Sequence, residues 1–510
     1  MARKPMPAAA AAHARAAGSG VTATPALRTW QDLLDPRQPW LAALLLVLLT
    51  RWIFATFVPL AAEDAYITFR YARNLANGLG LVYNPGQRVM GFSSPIWTLW
   101  CSLGFTLNAE PETWTRISTL LGDLVSAYCM VTLLRRHASE AAAWAFGLFF
   151  GAWPYFGAIA TAGMETSMFF TSIALAALLI DQRHPASGAA IAAVVFIRPE
   201  GALAAAVLLL GATWRDRALA LGAIVAGLVA LTAVYGSPIP QSVIAKSQVY
   251  GHPGPWAGRH WWEWLMPFPL GRWPVIGEAN FLVPLSLLLG PGIVLGLRAL
   301  ARKPRSGLAL AIGGALAVYL SYVITGASYF WWYFMVPLAG LTACASVGLP
   351  QMLRGRAMWI TLALCLAGMW NMQPDLYRGR AQTEYTAFVR ASELLLDHLR
   401  PGQSLMLEPI GIIGYRVQAR VIDETGLVTP EVSKRRPQGP GWYADIAARE
   451  RPDFLLVRAG VLANADGFAG IGRPFRDRAE RDSLVAHYQR VAVVDSTGGA
   501  NAMMLLQRAR

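Results

Sequence analysis

The chain has few cysteines, few charges and no residue pattern that would hold a metal ion. Its four cysteines, Cys101, Cys129, Cys344 and Cys365, all lie in apolar runs, where a free thiol packs as a small hydrophobe, so no disulfide framework is implied. Charged residues make up 15% of the 510 positions, low for a soluble globular chain. The seven histidines never recur as H-x-x-x-H and no Asp-x-Asp occurs, so spacing gives no metal site. Repeats of solenoid period are missing too.

What fills the sequence instead is apolar: 55% of residues are hydrophobic and the mean hydropathy is +0.39. Long apolar runs separated by short polar loops predict a polytopic α-helical membrane protein. A net charge of +14 would mark nucleic-acid binding if it were gathered in one soluble domain. Much of it sits in the short loops, the positive-inside pattern, so no nucleic-acid partner is expected. Residues 1–38 are alanine-rich and basic, without the apolar core and cleavage site of a secretory leader, and read as a disordered cytoplasmic tail.

A first span at 39–60 carries the chain to the outer face. Residues 93–108, "SSPIWTLWCSLGFTLN", are apolar but shorter than the roughly 20 residues a spanning helix needs, which predicts an interfacial or re-entrant helix. Spans at 113–134, 141–160 and 167–181 then leave Arg135, Arg136 and His137 in the cytoplasm. Two short runs, 187–198 and 200–213, meet at Pro199. Spans at 217–235, 281–299, 307–325, 331–349 and 357–372 complete a total of about eleven, N-terminus inside and C-terminus outside. The plan is a tail at 1–38, a transmembrane domain at 39–372 with outer loops 61–112 and 236–280, and an extracytoplasmic domain at 373–510. In that last part "SLMLE" (404–408), "ARVID" (419–423) and "DFLLV" (453–457) read as strands between helices near 383–399 and 442–450, a small soluble α/β domain.

The first outer loop opens with "EDAYITFRYARNLANGLGLVYNPGQRVMGFSSPIWTLW", residues 63–100. Glu63 and Asp64 stand just past an apolar run, where charge is costly. Acidic residues favour helix starts, which is one role for the pair; the other is a general base, Asp64, acting on an alcohol at the membrane surface.

This stretch resembles the first outer loop of GT-C fold glycosyltransferases that use polyprenyl-phosphate sugars, in its acidic pair, its R-Y-A helix, its "GLGLVYNPG" turn and its "GFSSPIW" segment. "GMET" from 163, "RPEG" from 198, "PQSVIAK" from 240 and "IDETGLVTPE" from 422 look similar in the same order, nearest to the AftB-like terminal arabinofuranosyltransferases of mycobacterial cell-wall synthesis. The likeness covers the membrane part well and the C-terminal domain more loosely. It implies a GT-C fold and a catalytic base at Asp64 with Glu63 as partner. Members with two aspartates differ here, which leaves the division of roles in the pair open. It further implies inverting transfer of a sugar, arabinofuranose by the nearest likeness, from a polyprenyl-phosphate donor to a cell-envelope glycan acceptor. The setting implied is the outer face of a bacterial inner membrane, with membrane lipids as further partners. No cofactor is required by that chemistry, since lipid phosphate can leave without a metal; a divalent cation stays an open question.

A departing phosphate needs cationic partners. Lys246 of "PQSVIAK" is the first candidate, its alternative being a lysine on interfacial lipid. Arg198 lies deep in apolar sequence beside Glu200, as an internal pair or as a donor contact. Arg70, with Arg73, follows Asp64 on the same helix, as a donor contact or a solvated charge. Glu165 of "GMET" binds a sugar hydroxyl, pairs with an arginine, or marks a helix start capped by Thr166 and Ser167. His260, within "GRHWWEW", contacts phosphate or packs among aromatics. Trp331, Trp332 and Tyr333 stack a sugar or acceptor, or belong to an aromatic belt. Asp423 and Glu424 make a turn or touch the acceptor. Two other functions fit parts of the pattern: transfer to protein or lipid A on the same fold, and transport of lipid-linked sugars. Transport calls for inverted repeats and charges near mid-membrane, and the chain shows no repeat while most carboxylates fall on the outer side.

Overall fold

Apolar runs in a membrane must satisfy their backbone internally, and helices do so. The computed structural model describes residues 38–58, 61–250, 282–325, 330–353, 355–372, 374–463, 472–494 and 502–509. The expected tail, all but Gln38, and most of the expected loop 236–280, with His260, lie outside the described residues. In chain order the helices are α1 (Pro39–Phe57), α2 (Ala65–Ala76), α3 (Pro95–Thr106), α4 (Pro111–His137), α5 (Glu140–Ala152), α6 (Pro154–Thr161), α7 (Thr166–Asp181), α8 (Ser187–Ile197), α9 (Gly201–Leu209), α10 (Trp214–Tyr235), α11 (Gln241–Tyr250), α12 (Leu282–Leu300), α13 (Gly307–Thr325), α14 (Met335–Met352), α15 (Arg356–Met372) and α16 (Pro374–His398).

Among the described residues four helices are long and apolar enough to cross a membrane: Pro39–Phe57, Pro111–His137, Trp214–Tyr235 and Trp332–Met352. The sequence-based count of about eleven is larger because it also takes in runs whose helices are shorter, such as α7 with 16 residues and α15 with 17, and one run that is bent. The run expected at 141–160 bends by 52° between α5 and α6. Pro154 supplies no N–H and pushes Trp153 out of the helical region, to φ −70° and ψ 121°. The runs around Pro199 likewise form two helices, α8 and α9, with Arg198 extended between them. Helix α3 is about 18 Å long from its 12 residues, too short to span, and exposes Ile96, Leu99, Trp100 and Leu103.

A buried ion pair joins α1 to α4 inside this bundle. Arg51 Nε donates to Asp123 Oδ2 at 2.8 Å, and its Nη1 donates to the carbonyls of Phe150 and Gly151 at 3.1 Å.

The C-terminal part folds as β1 (Ser404–Leu407), α17 (Ile412–Arg416), β2 (Arg420–Asp423), α18 (Pro430–Arg435), α19 (Trp442–Glu450), β3 (Phe454–Arg458), α20 (Ala459–Ala463), α21 (Arg478–Ala486), β4 (Tyr488–Val494) and β5 (Met503–Arg508). The strands make one sheet in the order β2-β1-β3-β5-β4, with β2, β1 and β3 parallel and β5 antiparallel to both neighbours. Three strands fall where the sequence placed them. Strands β4 and β5 were not foreseen, and β4 alternates between buried ends and exposed middle positions rather than forming a dry run.

This sheet domain is locked onto the first loop by polar contacts. Arg70 is buried, its ring neighbour is Tyr83 at 4.1 Å, and it donates to the carbonyls of Tyr83, Gly414 and Ala419. Asn84 exchanges two hydrogen bonds with the backbone of Val421, at 2.8 and 3.0 Å. The Tyr83 hydroxyl donates to the Ile410 carbonyl at 2.6 Å. Glycine is required where the seam is tightest: a Cβ at Gly411 would sit 1.9 Å from the Glu63 carbonyl, and one at Gly414 1.8 Å from the Tyr83 hydroxyl.

Candidate active site

Asp64 is the residue immediately before α2, the position of a helix cap, yet its side chain makes no capping bond. It turns instead toward α11, where Lys246 Nζ donates to Asp64 Oδ2 at 3.0 Å. Both side chains are about one-fifth exposed, at 21% for Asp64 and 20% for Lys246. They stand in the wall of a cavity of about 410 Å³.

Seven residues singled out from the sequence line that cavity: Asp64, Glu165, Arg198, Glu200, Lys246, Trp332 and Tyr333. They come from the start of α2, the start of α7, the α8–α9 break, α11 and the turn before α14, segments far apart in sequence. Arg198 carries the densest contacts. Its Nη1 donates to Glu165 Oε1 at 2.7 Å and its Nη2 to Glu200 Oε1 at 2.8 Å, and its guanidinium lies 4.7 Å from the Tyr333 ring centre. The internal Arg198–Glu200 pair is thus present, and Glu165 joins it rather than capping a helix with its side chain. Tyr322, a residue the sequence reading passed over, lines the cavity with Glu200 and stacks on Tyr333 with ring centres 5.2 Å apart. A tyrosine inside an apolar span is the signal that would have found it. Trp332 is stacked on Phe330 at 5.0 Å, and Lys246 Nζ lies 4.4 Å from the Phe330 ring centre. The side chain of Trp331 lies outside the described residues.

Glu63 and Arg70 do not line the cavity. The Glu63 carboxylate accepts from the backbone N–H groups of Gly411 and Ile412, fastening the sheet domain to the loop beside Asp64. Burial, and then the negative charges of Asp64 and Glu408, push its carboxyl well above the usual carboxylate range. Asp423 is fully buried and caps the turn after β2, accepting from the N–H groups of Thr425, Leu427 and Val428. Burial pushes Asp423 up to about 6 and Glu424 up to about 8. The turn that Asp423 caps brings Leu427 to the cavity wall. Among the described residues no group of three or more His, Cys, Asp or Glu side chains is placed to hold a metal ion.

Comparison with known proteins gives a fold. Residues 372–505 match the model of a domain of unknown function, DUF8728. No curated protein matches the chain. Among solved structures the chain is similar to ArnT from Cupriavidus metallidurans bound to undecaprenyl phosphate, at 14% identity and a TM-score of 0.58, over 91% of this chain and 97% of that one. It is also similar to the apo oligosaccharyltransferase of Archaeoglobus fulgidus, at 12% identity and a TM-score of 0.51, over 92% of this chain and 74% of that one. A third similar structure, AglB from Archaeoglobus fulgidus in complex with an inhibitory peptide and a dolichol-phosphate, shares 10% identity with a TM-score of 0.50, over 92% of this chain and 74% of that one. These neighbours have the GT-C fold, and this chain shares it: a polytopic helical membrane architecture with a small C-terminal sheet domain.

Proposed function

We propose that the chain is an inverting glycosyltransferase that takes a sugar from a polyprenyl-phosphate donor and passes it to an acceptor hydroxyl at the outer membrane face. The observation that carries this reading is the Asp64–Lys246 pair in the wall of the cavity, a carboxylate and a cation 3.0 Å apart with room beside them for a substrate. Asp64 accepts the proton of the acceptor hydroxyl as that oxygen attacks the anomeric carbon. Lys246 receives the phosphate, whose second negative charge develops as the bond to the sugar breaks. The Glu165–Arg198–Glu200 cluster holds its own charges in fixed places, which suits the orientation of sugar hydroxyls. The lipids named with two similar structures, undecaprenyl phosphate and dolichol-phosphate, support a lipid-phosphate donor of this class.

Arabinofuranose as the sugar, a cell-envelope glycan as the acceptor and an inner-membrane setting with the C-terminal domain outside rest on the likeness of the first-loop motifs. The domain plan of tail, transmembrane part and extracytoplasmic sheet domain belongs to the same proposal. The test is a reconstituted assay offering decaprenyl-phosphoryl arabinofuranose beside other polyprenyl-phosphate sugars, following release of lipid phosphate. Release from one donor by the wild type, lost in Asp64→Asn, is expected and names the sugar. Equal release by wild type and variant would remove Asp64 from the chemistry.

A further inference from the structure

Buried hydroxyls are almost always partnered, and inside a helix a serine or threonine finds its partner in a carbonyl about one turn back. Two of the serines that line the cavity do so. Ser321 Oγ donates to the Val318 carbonyl at 2.6 Å, and Ser247 Oγ to the Ile244 carbonyl at 2.8 Å. Ser242 lines the same cavity and is 7% exposed, yet its Oγ has no hydrogen-bond partner among the described residues. Among those residues it is the one cavity-lining side chain with a buried oxygen or nitrogen left in that condition.

Its place in the chain is the reason. Ser242 is the second residue of α11, and residues 236–240 before it are not helical, so the helix lays no carbonyl one turn beneath its hydroxyl. The Ile239 carbonyl, three residues back, accepts from Ser237 Oγ at 3.2 Å. The turn itself is fastened from two sides. The Gln241 N–H donates to the Met90 carbonyl at 2.8 Å, and Gln241 Nε2 donates to the Gly426 carbonyl at 2.9 Å and to Ser433 Oγ at 2.8 Å. An orphaned buried hydroxyl is destabilising, and stability given up in the wall of a cavity points to a ligand that restores the bond.

Position names the chemistry of that ligand. Helix α11 turns Ser242, Val243, Lys246 and Ser247 to the cavity, and Ser242 and Lys246 stand one turn apart on a single face. Helical side chains lean toward the N-terminus, so the Lys246 side chain leaves its backbone on the side of the turn that carries Ser242. That turn is also the end of the helix that favours negative charge. The Ser242 hydroxyl hangs on one rotatable bond, free to turn to an anion held at Lys246. Resting on the transferase reading, we infer that Ser242 is a second ligand of the leaving phosphate, donating its O–H to the group that Lys246 holds. As the bond between the anomeric carbon and the phosphate oxygen breaks, its electron pair stays on that oxygen and the acceptor proton passes to Asp64. Ser242 keeps its own proton, and its hydrogen bond strengthens as the second charge develops on the phosphate.

The test uses the full chain, the polyprenyl-phosphate sugar it turns over, and free polyprenyl phosphate as a product inhibitor that carries the second charge. Ser242→Ala removes the hydroxyl and leaves no protein group unpaired, so its melting temperature in detergent should equal or exceed that of the wild type. Its kcat/KM for the donor should fall roughly ten- to a hundredfold, the range for one hydrogen bond to a charged group, and the inhibition constant for polyprenyl phosphate should rise in the same range. The acceptor KM should stay put. A Ser242→Ala variant with wild-type donor kinetics and product inhibition would overturn the inference. So would one whose acceptor KM rises instead, or whose activity falls only together with its melting temperature, and each of these leaves the transferase reading standing. A wild-type chain that releases lipid phosphate from no donor overturns both.

Discussion

Two ion pairs of nearly equal length tie distant parts of the chain together, Arg51–Asp123 at 2.8 Å and Lys246–Asp64 at 3.0 Å. The first is closed: Arg51 is 3% and Asp123 0% exposed, and two further arginine bonds go to backbone carbonyls of α5. The second is open to a cavity large enough for a substrate. Opening the first would strand a charge among apolar helices, so it serves the fold. Opening the second exposes a carboxylate and an ammonium to a ligand able to replace either partner, so it can serve chemistry. A transport reading calls for charges inside the spans, and the buried pair of α1 and α4, Arg51 and Asp123, is bound one to the other.

The contrast is broken or sharpened most strongly at Asp64. Asp64→Asn should lower turnover by about a hundred- to ten-thousandfold, the range for loss of a general base. Its thermal unfolding in detergent should shift little, because a partly exposed pair stabilises by about 0–1 kcal/mol. Asp123→Asn should do the reverse, costing about 3–5 kcal/mol of stability while the folded fraction keeps its turnover per molecule. If the two variants exchanged phenotypes, the assignment of the pairs would be inverted.

A smaller effect is expected at the seam between the first loop and the sheet domain. Gly414→Ala overpacks the contact with Tyr83 and should cost about 1–3 kcal/mol, read as faster proteolytic cleavage between α16 and β1. Smaller still is a pH effect in the sheet domain. Burial, followed by the charge of Glu408, pushes Glu424 from its ordinary 4.5 up to about 8, so the folded domain holds a proton that the unfolded chain releases. The stability from this group is complete below pH 4.5 and is lost as pH rises through about 8. Glu424→Gln should flatten that part of the melting-temperature profile, and an unchanged slope would remove Glu424 as its source.

Much of the site could be read from the sequence because its residues are costly where they stand. Asp64, Glu165, Arg198, Glu200 and Lys246 are charges at the edges or breaks of apolar runs, and the cavity collects all five. Glu63 and Arg70 carry the same kind of signal, yet their partners are backbone groups of residues 411–419, which side-chain spacing does not reveal. Arg51 and Asp123 are single charges inside long runs. Their cost could have pointed to a mutual pair, but averaged hydropathy over each run hid them. Leu427 had no signal of its own, since only the docking of the sheet domain brings it to the cavity. The three parallel strands were legible as short segments with an apolar centre, two of them almost wholly buried and β2 buried after its exposed Arg420, whereas β4, half exposed, was not.

Asp64 performs the chemistry in this account and Lys246 holds the phosphate, and parallel measurements of polyprenyl-phosphate binding and of sugar transfer on Asp64→Asn and Lys246→Ala test that division most directly. Asp64→Asn should bind the lipid phosphate as the wild type does and transfer almost nothing, while Lys246→Ala should lose binding. An Asp64→Asn variant that transfers at the wild-type rate, or a Lys246→Ala variant that binds and transfers normally, would contradict it.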